Sequence, residues 1–484
     1  MNIFKNPTIL KILDYYKDLW SISYLSGLAS WDLETYMPKK ASSYRGEAMA
    51  RVSTIRQKLF LDKEFVGLIN KANDENNLTD QEKGVVRVLN QSLKLYQKVP
   101  SSFLEEFEKL TSKSTVVWAE AKEKNDYTMF AGDLEKIFDM NRQLADYLGY
   151  EDSPYDALLD LYEEGLTSKT VSNFFSEIKN PLQDLLKNII TSKKYQKSHW
   201  LEDQKYDKNE LSKLNDKILK SFWGDSERLR IDTSSHPFTI SFNKNDTRIT
   251  TRYHQKDFAR SLFATIHEFG HALYDLQSSD ALEMTPIAGG GSLVIHESQS
   301  RFWENHIGRS MEFIKKFKKD MEHAVGCDLD TNDLYLYFNK VSPNLLRVES
   351  DELTYHFHIM LRFEIEKGII EGKLKVKDLK EIWNQKMTEY LGITPTKDSE
   401  GVLQDIHWAH GSVGYFPTYS LGTFLGAQWE EKITGNPKKW LEKNIHQFGS
   451  TYTLEDLLKK NNMDYDPSVN IKHLQQKYKK LYSL

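Results

Sequence analysis

Residues 258–277 read FARSLFATIHEFGHALYDLQ. Phe258, Leu262, Phe263, Ile266, Phe269, Leu273 and Leu276 return every three or four positions, the spacing of one face of an α-helix, and the stripe predicts a buried helix. The same period predicts helices near 129–148, 168–192, 297–311, 347–368 and 377–392. Another is expected from Ser102, where Ser102 and Glu105 form a capping-box pattern ahead of Phe107, Leu110 and Val116. Only 24 glycines and 12 prolines punctuate 484 residues, so breakers are few and helices are favoured. The expected fold is therefore mainly α-helical. No repeat, low-complexity segment or linker divides the chain, which reads as one helical body over 1–484, with lobes allowed inside it and their boundaries unset.

One stretch departs from the helical period. Residues 238–253 read FTISFNKNDTRITTRY. Alternation around Ile240, Phe242, Ile249 and Thr251, with turn residues from Asn243 to Asp246, predicts two short strands joined as a hairpin. Edge strands can hold an extended peptide, and this hairpin directly precedes the 258–277 helix.

Composition narrows the function classes. Apolar residues make up 39% of the chain, enough for a sizeable core, and charged residues 28%. The net charge of −5 provides no basic field for nucleic acid, and Lys interleaved with Glu and Asp reads as solvated helix faces. No apolar run approaches the length of a membrane span. The segment MNIFKNPTILKILDYYKDLW has no apolar core of a signal peptide, so the expected location is the cytoplasm. The single cysteine, Cys327, cannot form an internal disulfide and is expected as a small buried apolar side chain.

Inside the first helix lies HEFGH, residues 267–271. Positions i and i+4 share a helix face, so His267 and His271 can both point at one zinc ion. Glu268 is one residue further round, beside the ion, where it can take a proton from water. A catalytic zinc needs a third protein ligand and an open position. LVIHESQSRFWE at 293–304 offers Glu297, with His296 as the local rival, after a loop with Gly289, Gly290 and Gly291 that can turn the chain back onto the first helix.

Two further segments are rich in polar side chains. In LRVESDELTYHFHIMLRFEIE at 346–366, the charges Arg347, Glu349, Asp351 and Glu352 read by themselves as an exposed ion-pair network at a helix start. In GVLQDIHWAHGSVGYFPTYSLG at 401–422, Gln404, Asp405, His407, Trp408, His410 and Tyr415 crowd among glycines and aromatics, as functional loops do. His236, Asp246 and Arg248 flank the hairpin.

These motifs, taken in order, resemble the carboxypeptidase Taq family of zinc metallocarboxypeptidases. The match comprises HPF at 236–238, DTRIT at 246–250, HEFGH at 267–271, HESQ at 296–299, RVESD at 347–351 and GVLQDIHW at 401–408, with LASWDLETYMP at 28–38 as an upstream signature. Leu346 and Ser350 depart from the family's preferences beside Arg347. The resemblance implies an almost wholly α-helical fold with a small sheet beside a deep groove, and a homodimer. It implies metal binding by His267, His271 and Glu297, with Glu268 as base. It implies that Arg347 binds the carboxylate at the C-terminus of a peptide substrate, and that Gln404, Asp405, His407 and Trp408 line the groove. His236, Asp246, Arg248 and Tyr415 are expected near the substrate, with Tyr415 or His236 as a donor to the oxyanion. The expected reaction is zinc-assisted attack of water on the last peptide bond, and cobalt is expected to substitute for zinc. An internally cutting oligopeptidase would share the metal site without needing Arg347. A zinc-binding scaffold would have no use for Glu268.

Overall fold

Helices form where the apolar period runs longest. Ser168–Thr191 buries Val171, Phe174, Phe175, Ile178, Leu182, Leu185 and Ile189 along one face, and the Thr167 hydroxyl caps its first turn by accepting from Thr170 N–H. The computed structural model describes residues 3–202, 204–225 and 227–484. Among the described residues there are nineteen α-helices, several short 3-10 turns and one sheet of three strands. The fold is mainly α-helical, and no described helix is long and apolar enough to cross a membrane.

The chain divides into two compact units, each assembled from three stretches. The first comprises 1–96, 200–338 and 429–465; the second comprises 97–199, 339–428 and 466–484.

In the first unit the sheet consists of β1 (Leu229–Thr233), β2 (Thr239–Asn243) and β3 (Asp246–Thr251) in the order β1-β3-β2. β2 and β3 form the expected antiparallel hairpin, with a register irregularity between Ser241 and Asn243. β1 adds to the other edge of β3 in parallel, pairing Ile231 with Ile249. It was not foreseen, because LRIDT is short and its strand character comes from pairing with a partner that is not its neighbour in sequence. β3 leads into the HEFGH helix, Phe258–Leu276, which is capped by Asp257 and buried on nearly every side. Thr265 on that helix donates to Thr251 Oγ1 of β3 at 2.9 Å and accepts from Asn215 Nδ2 at 2.7 Å, fixing helix against sheet.

In the second unit Tyr355–Ile370 is the central helix, with fourteen of its residues buried, Arg362 and Glu366 among them. It does not begin at Arg347, as the apolar period suggested. Arg347–Glu349 is a single 3-10 turn, and the helix starts six residues after it. The reason is Asp351, whose side chain accepts from the N–H groups of Ser342, Leu353 and Thr354 and holds an irregular turn there. Two smaller expectations are also corrected. Helix Ser101–Lys124 follows Pro100 with no side-chain cap, so Ser102 and Glu105 do not form a capping box. Cys327 is exposed: helix Met311–Val325 ends before it, and Gly326 breaks the helical backbone with φ of 78°.

Candidate active site

The HEFGH helix points two imidazoles the same way. The rings of His267 and His271 lie 5.0 Å apart, centroid to centroid. Nε2 of each faces Glu297 Oε2, at 3.7 Å from His267 and 3.6 Å from His271. Glu297 lies on the HESQ helix, Leu293–Arg301, which packs against the HEFGH helix. Gly270 permits that approach, because a Cβ there would stand 2.5 Å from Ser300 Cα and 2.6 Å from Gln299 O. The donor atoms of His267, His271 and Glu297 all lie within 4.8 Å of one another. Ligands about 2.0–2.1 Å from a tetrahedral zinc stand roughly 3.4 Å from each other, so two imidazoles and a carboxylate at these separations fit such an ion.

The donors are oriented by further contacts. A π-helical turn, Phe302–Gly308, follows the HESQ helix and presents Glu304, whose Oε2 lies 3.0 Å from His267 Nδ1. Arg301 donates to Glu297 Oε1 at 2.6 Å and to Glu304 Oε2 at 3.2 Å, and Arg309 donates to Glu304 Oε1 at 2.9 Å. On the other side, His271 Nδ1 lies 3.2 Å from His296 Nδ1. Glu268 is buried, and its Oε2 accepts from the Thr239 hydroxyl of β2 at 2.6 Å.

Charge follows from this packing. Burial opposes ionisation of Glu297, but Arg301 and the two histidines outweigh it and hold the carboxyl well below the usual range. Glu304 is held low in the same way by Arg301, His267 and Arg309 against burial. Burial disfavours the His267 imidazolium, yet Glu297 and Glu304 leave its pKa raised.

The hairpin residues are also placed. Arg248 makes a two-pronged pair with Asp246, 2.8 Å on each side, and stacks over Trp31 and Phe242. His236 is exposed between β1 and β2, where its carbonyl accepts from Ser234 Oγ.

The second unit holds a separate charged cluster. Arg347 is not an exposed partner of Glu349 or Asp351. It is buried, and Nε and Nη2 donate to Asp405 Oδ1 at 3.1 and 2.8 Å. Nη1 donates to Tyr355 OH at 3.0 Å, and the Arg347 N–H donates to Gln404 Oε1 at 2.9 Å. Arg362 donates to the other oxygen, Asp405 Oδ2, at 2.7 Å. Burial would raise the Asp405 carboxyl, but the two guanidiniums hold it far below the usual range. Two cations thus share one carboxylate, leaving one positive charge in excess.

The rest of GVLQDIHW surrounds this cluster. His407 Nε2 lies 3.4 Å from Tyr419 OH, and burial lowers its pKa to about 4. Tyr415 stacks edge-on against Tyr162 and Tyr419. Trp408 is buried, and its indole N–H donates to Glu366 at 2.6 Å.

A sequence model of the carboxypeptidase Taq (M32) metallopeptidases matches residues 11–478. The chain belongs to this family. A thermostable carboxypeptidase 1 of Pyrococcus furiosus is 44% identical over 98% of this chain and 99% of its own length. Carboxypeptidase 1 of Bacillus subtilis is 35% identical over 98% of each. A solved structure of the Pyrococcus furiosus carboxypeptidase matches with a TM-score of 0.95 at 44% identity, covering 98% of this chain and all of that one. As an M32 metallopeptidase the protein is a peptide hydrolase with a metal cofactor.

Several members of these M32 clusters escaped the sequence reading. Arg301 and Glu304 follow Glu297 by four and seven residues, the spacing of one helical face, which is a signal that could have found them. Arg362 and Glu366 interrupt an apolar helix, and charges in such a run imply buried partners. Thr239 offers no local signal; only strand pairing brings it to Glu268.

Proposed function

We propose that the protein removes C-terminal amino acids from peptides, with a zinc ion held by His267, His271 and Glu297 and with Glu268 as the general base. The observation that carries this reading is the convergence of both Nε2 atoms on Glu297 Oε2, with the buried Glu268 carboxylate on the same helix. When bound, the ion lowers the pKa of water and polarises the scissile carbonyl. Glu268 takes the proton of the attacking water and delivers it to the leaving amine. Thr239 restrains the Glu268 carboxylate through its hydroxyl. Glu304 and Arg301 keep His267 and Glu297 oriented, and the N and O donors suit cobalt as well as zinc. Arg347 binds the substrate's terminal carboxylate; support comes from the excess positive charge it shares with Arg362 over Asp405.

The test compares one peptide with a free and with an amidated C-terminus. The free peptide should be cut one residue at a time and the amidated one very poorly. Arg347→Ala should keep zinc and lose roughly 2–5 kcal/mol of transition-state stabilisation toward the free peptide. Equal cleavage of both peptides by the wild type would establish the internally cutting reading instead.

A further inference from the structure

We infer that His296 is a positioning residue that presets the metal-binding tautomer of His271. The inference rests on the reading of His267, His271 and Glu297 as the zinc ligands.

His271 turns Nε2 toward Glu297, so Nε2 must keep its lone pair for the ion and the ring proton must sit on Nδ1. That N–H points at His296 Nδ1, 3.2 Å away. His296 therefore accepts at Nδ1 and carries its own proton on Nε2. There it faces Asp275 Oδ1 at 3.8 Å, beyond hydrogen-bond distance, and that oxygen accepts from Gly290 N–H at 2.8 Å. The His296 ring is boxed in by Tyr274, 4.9 Å between centroids. A Cβ on Gly290 would stand 2.5 Å from His296 Nε2, so the glycine lets the loop lie directly against this ring. His296 thus stands behind His271, on the side away from Glu297, as its hydrogen-bond acceptor. The two ligand histidines have chemically different supports: a carboxylate, Glu304, behind His267 and a neutral imidazole behind His271. An imidazole acceptor fixes the tautomer without adding a second negative charge next to Glu297.

The test measures zinc affinity of the full chain by competition with a chelator, with no substrate present. His296→Phe keeps a ring but no acceptor and should weaken zinc about 10–100-fold. His296→Asn places an amide oxygen near the Nδ1 position and should stay within a few-fold of wild type. His296→Gln carries its amide to the Nε2 side, toward Asp275, and should lose affinity like the Phe variant. Circular dichroism of the metal-free proteins checks folding; should the Phe variant not fold, the Asn and Gln variants decide. Wild-type affinity in His296→Phe, or equal affinity in Asn and Gln, overturns the inference. Complete zinc loss in His296→Phe, matching His271→Ala, also overturns it by making His296 a ligand. Parallel measurements on His271→Ala and Glu297→Ala separate the two levels: tight zinc in those variants defeats the metal-site reading itself.

Discussion

At the scale of single residues, neighbours in sequence turn to different partners. Glu268 follows His267 immediately, yet its carboxylate goes to Thr239 rather than toward the Glu297 oxygen that both imidazoles face. Glu268→Gln should therefore keep zinc and lose about 10²–10⁴-fold in turnover, because an amide cannot take the proton. Glu297→Ala should instead lose zinc, since it removes a donor and one of the two carboxylates that Arg301 bridges. Metal content and kcat measured on both variants check the division of roles. A Gln variant with more than a tenth of wild-type turnover defeats the base assignment. The spacing of HEFGH made the shared direction of His267 and His271 legible, because the helical period is local. The choice between Glu297 and His296 was not legible from spacing, since both lie on the same short helix and only its rotation against the first helix sets which one turns inward.

At the scale of elements, the pairing of the HEFGH and HESQ helices depends on a backbone contact at Gly270. Gly270→Ala puts a methyl 2.5 Å from Ser300 Cα and 2.8 Å from Ser300 N, atoms that cannot rotate away. The helices must separate, at a cost of about 1–3 kcal/mol, with reduced zinc occupancy. Gly132, on the exposed side of helix Thr128–Leu148, has nothing within 4 Å of its Cβ position. Gly132→Ala should stabilise the protein by about 0.4–1 kcal/mol through helix propensity and reduced unfolded-state freedom. Thermal melts of the two variants should move in opposite directions. A Gly270→Ala protein as stable and as zinc-loaded as the wild type would show that the close approach is not required.

At the scale of the whole molecule, stability is tied to pH through Glu366 in the second unit. It is fully buried and accepts from Tyr155 OH at 2.7 Å, Trp408 Nε1 at 2.6 Å and Gly414 N–H at 2.9 Å. Burial outweighs these bonds and raises its pKa from 4.5 to about 7. A carboxyl with a folded pKa above its unfolded one holds more protons in the native state between those values, so stability falls as pH rises through that window. The contribution is fully present below about pH 4.5 and is lost by about pH 7. Chemical denaturation at pH 5 and pH 7 should therefore show the wild type losing up to about 3 kcal/mol relative to Glu366→Gln over this interval, one and a third for each pH unit. The buried His407, whose lowered pKa acts in the opposite direction, is common to both proteins and cancels in that difference. An identical pH dependence in both proteins refutes the assignment.

The helical class, the β2–β3 hairpin and the shared face of His267 and His271 were legible along the chain, because each follows from periods of a few residues within one segment. Features that depend on distant partners appear only once the chain is folded. β1 exists because β3 lies beside it. Thr239 matters because strand pairing brings its hydroxyl to Glu268. Arg347, charged and set among acids, reads locally as an exposed residue. It is buried because Asp405, fifty-eight residues later, and the Arg362 that shares it satisfy one another away from water. A charge enters a protein interior only when its partners come with it, and those partners are set by the fold of each unit rather than by spacing along the chain.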